Sequence, residues 1–196
     1  VLEGLAEAHR LGVVHRDLKP SNIMIDSEGQ VRILDFGIAR AAKSEAITKA
    51  GMMIGTPEYM SPEQVEGREV DQRSDLYSLG VILFEMVTGR IPFEANTPFA
   101  LGLKHKSEPP PNPREFNSLI PEDLSRLILK CLEKEGAKRF QSAEAVLSAL
   151  AGIEEASPGA EPVVPKRKTL FSKEVTATFS LRKLFIPGLV VIALAA

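Results

Sequence analysis

The sequence predicts an α+β fold, a mostly helical lobe with a small hairpin at one edge, and three observations predict it. Residues 75–89 carry apolar side chains on most faces of a helix (Leu76, Leu79, Val81, Ile82, Leu83, Phe84, Met86, Val87), the pattern of a helix buried nearly all round. Two short apolar runs, Ile23-Met24-Ile25 and Val31-Arg32-Ile33-Leu34, flank Ser27-Glu28-Gly29 and read as strand, turn, strand. With 44% hydrophobic residues among 196, the chain has enough apolar surface for one core plus a tail.

In chain order, Leu2, Leu5, Ala6 and His9 recur at helical spacing, and Gly12 is the stop signal. Val13-Val14 leads into the loop that starts at His15, and the hairpin follows. From Ile38 to about Met60 runs a loop of a length that is usually functional or disordered. Ser74 and Asp75 are suitable first residues for the central helix, and Gly89 suits its C-cap. Further helices are predicted over 98–106, 121–133 and 142–151, with Pro109-Pro110-Pro111-Asn112-Pro113 as an extended connector.

From about Glu154 to Ser180 the composition shifts to Pro, Ala, Glu, Thr and Lys without periodicity, the signature of a flexible linker. Residues 184–196 are apolar throughout, though thirteen residues fall short of the roughly 20 that span a bilayer. Arg182 and Lys183 precede this run, and Lys166-Arg167-Lys168 lie upstream. We read it as the start of a single-pass anchor that leaves the preceding domain in the cytoplasm at the cell membrane. The alternative is a C-terminal core strand or helix. The expected organisation is therefore a folded domain over 1–152, a basic juxtamembrane linker over 153–183, and a truncated membrane segment over 184–196. Both ends read as cut, so a fragment is expected.

A formal net charge of −2 argues against a nucleic-acid binder, whose footprint is a strong basic excess. Cys131 is the single cysteine, so no intrachain disulfide forms, and its helical apolar setting suits a small buried residue in a reducing compartment.

The chemistry concentrates in His15-Arg16-Asp17-Leu18-Lys19-Pro20-Ser21-Asn22 and in Asp35-Phe36-Gly37 after the hairpin. Phosphoryl transfer needs groups that position reactants and neutralise charge, with modest acid–base work. Asp17 can orient a hydroxyl and accept its proton. Lys19, two residues on, can offset the charge of a transferring γ-phosphate. Asn22 and Asp35 offer the oxygen ligands that a hard Mg²⁺ (or Mn²⁺) beside ATP prefers.

Together these motifs resemble a eukaryotic-like, bacterial-type serine/threonine protein kinase, and the resemblance runs from Val1 to about Leu150. It implies a protein-kinase-like fold of which this chain holds the helical C-lobe, with His15 as a packing residue of the catalytic loop. Asp35-Phe36-Gly37 then corresponds to the metal-binding segment. Arg16 would sit beside the base, where a phosphate on the activation loop could neutralise it. Gly55-Thr56-Pro57-Glu58-Tyr59-Met60-Ser61-Pro62-Glu63 resembles the end of the activation segment, with Ser61 where the family more often has Ala. The resemblance places Thr56 near Asp17 and Lys19, pairs Glu63 with Arg139, and lets Asp75 accept bonds from the His15 and Arg16 backbone. An N-cap role would also explain Asp75. Thr48, and less strongly Ser44, resemble activation-loop autophosphorylation sites.

The implied substrates are Ser and Thr hydroxyls of proteins, with ATP as donor and no nucleic acid as partner; a homodimer is compatible with the family. The Gly-rich loop, the Val-Ala-x-Lys strand and the partner Glu helix are not found here, so the chain alone is expected to be a poor kinase. Two other classes fit part of the pattern. One is a non-catalytic pseudokinase or scaffold lobe, which would not need Asp17, Asn22 and Asp35 together. The other is a small-molecule phosphotransferase, which would not need the stretch from Gly55 to Glu63.

Overall fold

The computed structural model describes residues 1–36 and 57–156. Gly37, Ser44, Thr48, Thr56, the linker beyond 156 and the apolar run 184–196 lie outside the described residues. Among the described residues, no helix is long and apolar enough to cross a membrane.

The order is α1 (Leu2–Arg10), β1 (Ile23–Ile25), β2 (Val31–Ile33), α2 (Pro62–Val65), α3 (Gln72–Thr88), α4 (Pro98–Ser107), α5 (Pro113–Phe116), α6 (Glu122–Cys131) and α7 (Ala143–Ala156). β1 and β2 form an antiparallel pair with Ile23 opposite Ile33, Met24 opposite Arg32 and Ile25 opposite Val31. The turn between them is stiffened by Asp26, whose Oδ1 accepts from the backbone N–H of Glu28 (3.0 Å) and Gln30 (2.9 Å).

Helix α3 is the centre of the lobe. Leu76, Leu79 and Ile82 join Leu5, Leu18, Leu127, Cys131, Ala143 and Val146 in one apolar cluster. Tyr77, Val81 and Phe84 join Ile128 and Leu132 in a second. One helix thus feeds both clusters, which is why its sequence shows no polar face. The approach of α6 is close: a Cβ at Gly80 would lie 2.7 Å from Cys131 Cβ and 3.3 Å from the Leu132 side chain. Only glycine fits this crossing without movement. The helix ends at Gly89, whose φ of 74° is the left-handed C-cap expected there.

Its start differs from the expectation. The N-cap is Asp71, whose side chain accepts from Arg73 N–H at 2.8 Å. Ser74 and Asp75 therefore stand inside the first turn, and a simple capping role for Asp75 is excluded. The Asp71-Gln72-Arg73 stretch is polar, so apolar periodicity gave no sign of helix before residue 74.

Two further boundaries move. Pro113 opens a helical turn instead of continuing an extended connector: Asn112 and Glu115 form a reciprocal capping box, and proline suits the first helical position. Helix α7 runs to Ala156, past the helix end expected at 151. Ile153 still packs against the core, and Glu154, Glu155 and Ala156 are adequate helix formers that a compositional reading takes for linker.

Candidate active site

The site is built on the loop between α1 and β1, and its anchor is Asp75 on α3. Asp75 is 1% exposed and accepts three bonds: His15 N–H on Oδ2 (2.8 Å), Arg16 N–H on Oδ1 (2.9 Å), and the His9 ring Nε2 on Oδ2 (2.8 Å). A buried carboxylate needs such partners to be tolerated, and here all three come from α1 and the loop that follows it. His9 was legible only as a position on the apolar face of α1; its ring instead completes the Asp75 shell. Spacing alone could not separate the two roles.

Arg16 adopts φ 67°, the left-handed region where the Cβ of an L-residue crowds the following carbonyl oxygen. Its two flanking peptide groups are both fixed. Asp75 holds its N–H, and the Gln64 side-chain amide donates to its carbonyl at 2.6 Å. Strain of this kind persists when the surroundings over-determine it.

Fully buried His15 ties this loop to the segment after the hairpin. Asp17 N–H donates to Nδ1 (3.2 Å), so the ring proton sits on Nε2 and is donated to Leu34 carbonyl (2.9 Å). The ring also lies 4.8 Å from that of Phe36, centroid to centroid. A second tie is Leu34 N–H to Asn22 carbonyl at 2.8 Å. Asp35, next in sequence, has φ 54°. The structure thus brings Asp17, Asn22, Asp35, His15 and Phe36 onto two segments joined by direct bonds.

Within the loop, Lys19 Nζ stands 3.0 Å from Asp17 Oδ2, both side chains being partly exposed. Asn22 donates one Nδ2–H to Asp17 carbonyl at 2.9 Å, so the bond is made by the amide's NH₂ and not by its oxygen, the atom that can act as a ligand. No group of three or more His, Cys, Asp and Glu side chains converges among the described residues. Mg²⁺ keeps several waters and shares substrate phosphates, so it needs few protein oxygens. Asn22 and Asp35 are the residues whose oxygens could be offered to it.

The floor below is braced by a buried ion pair. Arg139, 2% exposed, donates Nη1 to Glu63 Oε1 (2.7 Å) and Nη2 to Glu63 Oε2 (2.8 Å), the forked geometry that guanidinium and carboxylate share. It also bonds the carbonyls of Glu133 (2.7 Å), Arg73 (2.9 Å) and Lys134 (3.0 Å). Burial alone would raise the Glu63 carboxyl, but Arg139, with help from the Ser74 hydroxyl, holds it below the ordinary value of 4.5. Nearby, Tyr59 carbonyl accepts from Ser78 Oγ (2.7 Å) and Tyr59 OH donates to Glu85 (2.7 Å), which fixes the turn at Pro57–Tyr59 on α3.

Ser61 caps α2 in a reciprocal box with Gln64: Gln64 N–H reaches Ser61 Oγ (3.4 Å), and Ser61 N–H reaches Gln64 Oε1 (3.0 Å). Gln64 was not singled out from the sequence, although Ser-x-x-Gln is a capping signature.

This arrangement defines a class. A family model for the protein kinase domain matches residues 1–150, and the chain belongs to the protein kinase family. Among curated relatives, the serine/threonine-protein kinase pkn3 of Myxococcus xanthus is 46% identical over 164 residues, covering 79% of this chain and 30% of the relative. Serine/threonine-protein kinase PrkC of Bacillus subtilis is 40% identical over 144 residues, covering 74% of this chain and 22% of the relative. Serine/threonine-protein kinase PknB of Mycobacterium leprae is 40% identical over 163 residues, covering 83% of this chain and 26% of the relative. This chain accordingly spans less than a third of the length of these relatives.

Proposed function

We propose that this chain is the catalytic-loop-bearing part of a serine/threonine protein kinase, which transfers the γ-phosphate of ATP to Ser or Thr hydroxyls of proteins. The observation that carries the reading is the clamped loop. Asp17 follows a left-handed Arg16 fixed on both sides, and its own peptide is tied to His15 and Asn22. Such rigidity is what positioning catalysis requires.

In this reading Asp17 orients the acceptor hydroxyl and takes its proton. The hydroxyl oxygen bonds to the γ-phosphorus, the bond from phosphorus to the bridging oxygen breaks, and ADP leaves with that electron pair. Lys19, already beside the Asp17 carboxylate, offsets charge on the transferring group. Mg²⁺ (or Mn²⁺), held by Asn22 and Asp35, would supply charge neutralisation on the phosphates. Thr56 is assigned to the polypeptide acceptor's side of the site on sequence resemblance. The Gly-rich loop and strand Lys of the family would be supplied by a preceding lobe, a reading supported by the greater length of the relatives.

Activation by phosphorylation at Thr48, single-pass attachment through residues 184–196 with the kinase domain cytoplasmic, and homodimer formation extend the proposal. The first two are supported by the sequence, through a hydroxyl at 48 and an apolar run behind basic residues, and the homodimer by family resemblance alone. The experiment is transfer of labelled γ-phosphate to a protein acceptor by the product of the complete reading frame, with Asp17→Asn beside it. The expected loss in kcat is on the order of 10² or more, the scale of general-base removal. An unchanged rate would remove Asp17 from the role.

A further inference from the structure

We infer that Gln64 is a positioning residue of the phosphoryl-transfer site, acting through the Arg16 carbonyl; the inference rests on the kinase reading above. Three observations converge on this amide. Its Oε1 accepts from Ser61 N–H at 3.0 Å and so caps α2. Its Nε2 donates to Arg16 carbonyl at 2.6 Å, across 48 residues of sequence. Arg16 itself holds φ 67° and directly precedes Asp17.

The two halves of the amide thus do different work. The oxygen finishes a helix cap, which any Glu or Gln at that position can do. The nitrogen fixes the peptide plane that enters Asp17, which needs an N–H donor. Asp75 restrains the N–H on the near side of Arg16, and Gln64 restrains the carbonyl on the far side. A residue in the left-handed region returns to ordinary backbone angles unless both sides are held. Release of the carbonyl leaves this plane held only through the longer bond from Asp17 N–H to His15 Nδ1 (3.2 Å), and the tilt this permits is passed to the Asp17 backbone and to the direction of its carboxylate. Gln64 also sits next to Glu63, so the helix braced by Arg139 and the loop that carries the base are joined through one side chain.

Gln64→Glu separates these functions. The introduced carboxylate keeps the same shape and still accepts from Ser61 N–H, since Ser-x-x-Glu is an equally good box. It has no proton to donate to Arg16 carbonyl, and when ionised it sets oxygen against oxygen. We expect Q64E in the product of the complete reading frame to keep its KM for ATP and to lose less melting temperature than Gln64→Ala, because the cap on α2 is retained, while kcat falls about tenfold at pH 8, the loss of one well-placed hydrogen bond. The ratio of its kcat to that of the unaltered protein should then rise as pH falls, because a protonated carboxyl can again donate to the carbonyl. Gln64→Ala, which removes both functions, should lose kcat and thermal stability together, with a pH-independent kcat ratio.

A Q64E protein with unaltered kcat overturns the inference. So does a kcat loss accompanied by an equal loss of melting temperature in both variants, or a kcat ratio that is flat with pH. Absence of transfer by the unaltered protein overturns the kinase reading and the inference with it, whereas transfer that is insensitive to Q64E overturns the inference alone.

Discussion

Replacing Arg139 by Met should be among the most damaging single changes in this lobe. The methionine restores much of the apolar stem but none of the donors. Left behind in a buried setting are the Glu63 carboxylate and the carbonyls of Arg73, Glu133 and Lys134, all now bonded to the guanidinium at 2.7 to 3.0 Å. Removing one member of a buried pair costs about 3–5 kcal/mol, mostly because the other charge stays unpaired. Water entering at the edge of the loop would return part of the carbonyl bonding, so about 4 kcal/mol is our working figure. For a domain of this size, with about 3 °C per kcal/mol, the melting temperature should drop by about 12 °C. The assay is thermal and urea unfolding of R139M, of Glu63→Met, and of the double variant. The double variant should be clearly more stable than the sum of the two single losses, because neither orphaned charge remains. Additive losses, or a shift below about 3 °C in R139M, would refute the reasoning. pH gives a second reading of the same pair. The folded Glu63 carboxyl lies below 4.5, so its contribution to stability is complete above that value and is lost as pH falls through the folded value. R139M should show less acid sensitivity than the unaltered protein below about pH 4.5, since without Arg139 the folded carboxyl is no longer held low.

Two further tests concern packing against α3. Gly80→Ala places a methyl where 2.7 Å separates a Cβ from Cys131 Cβ, so α3 and α6 must part, at a cost of about 1–3 kcal/mol read from urea unfolding; an unchanged midpoint would mean the helices slide apart freely. Cys131 is buried and its thiol is pushed up to about 12, chiefly by burial. It should resist a disulfide-exchange reagent at pH 8 in the native protein and react promptly in denaturant, and fast native labelling would show that this packing opens.

Much of the lobe was legible because its signals are local. The all-apolar face of residues 76–87, the turn between two short strands and the glycine at 89 each follow from side-chain chemistry within a few residues. The His15–Asn22 stretch and its Asp35-Phe36-Gly37 partner stood out as short consecutive motifs, and the roles expected of them came from resemblance to a family. Helix ends written in polar residues were not: Asp71 and the 154–156 turn carry no apolar periodicity, and the Asn112 box hides in a proline run. Long-range polar partners were least visible. Glu63 with Arg139, and Asp75 with the loop, came from resemblance to a family. His9 on Asp75 and Gln64 on Arg16 are contacts across 66 and 48 residues that no spacing rule encodes.

The double membership of α3 has a consequence for how the lobe can come apart. Because the same helix contributes side chains to both apolar clusters, neither cluster can be shed as an independent cooperative unit while the other stays intact. Sub-global opening is then confined to what does not depend on α3, such as the exposed hairpin edge and the far end of α7. The Asp75 carboxylate sits on that helix, so the His15 and Arg16 amides that donate to it should exchange with solvent as slowly as the amides of α3 itself.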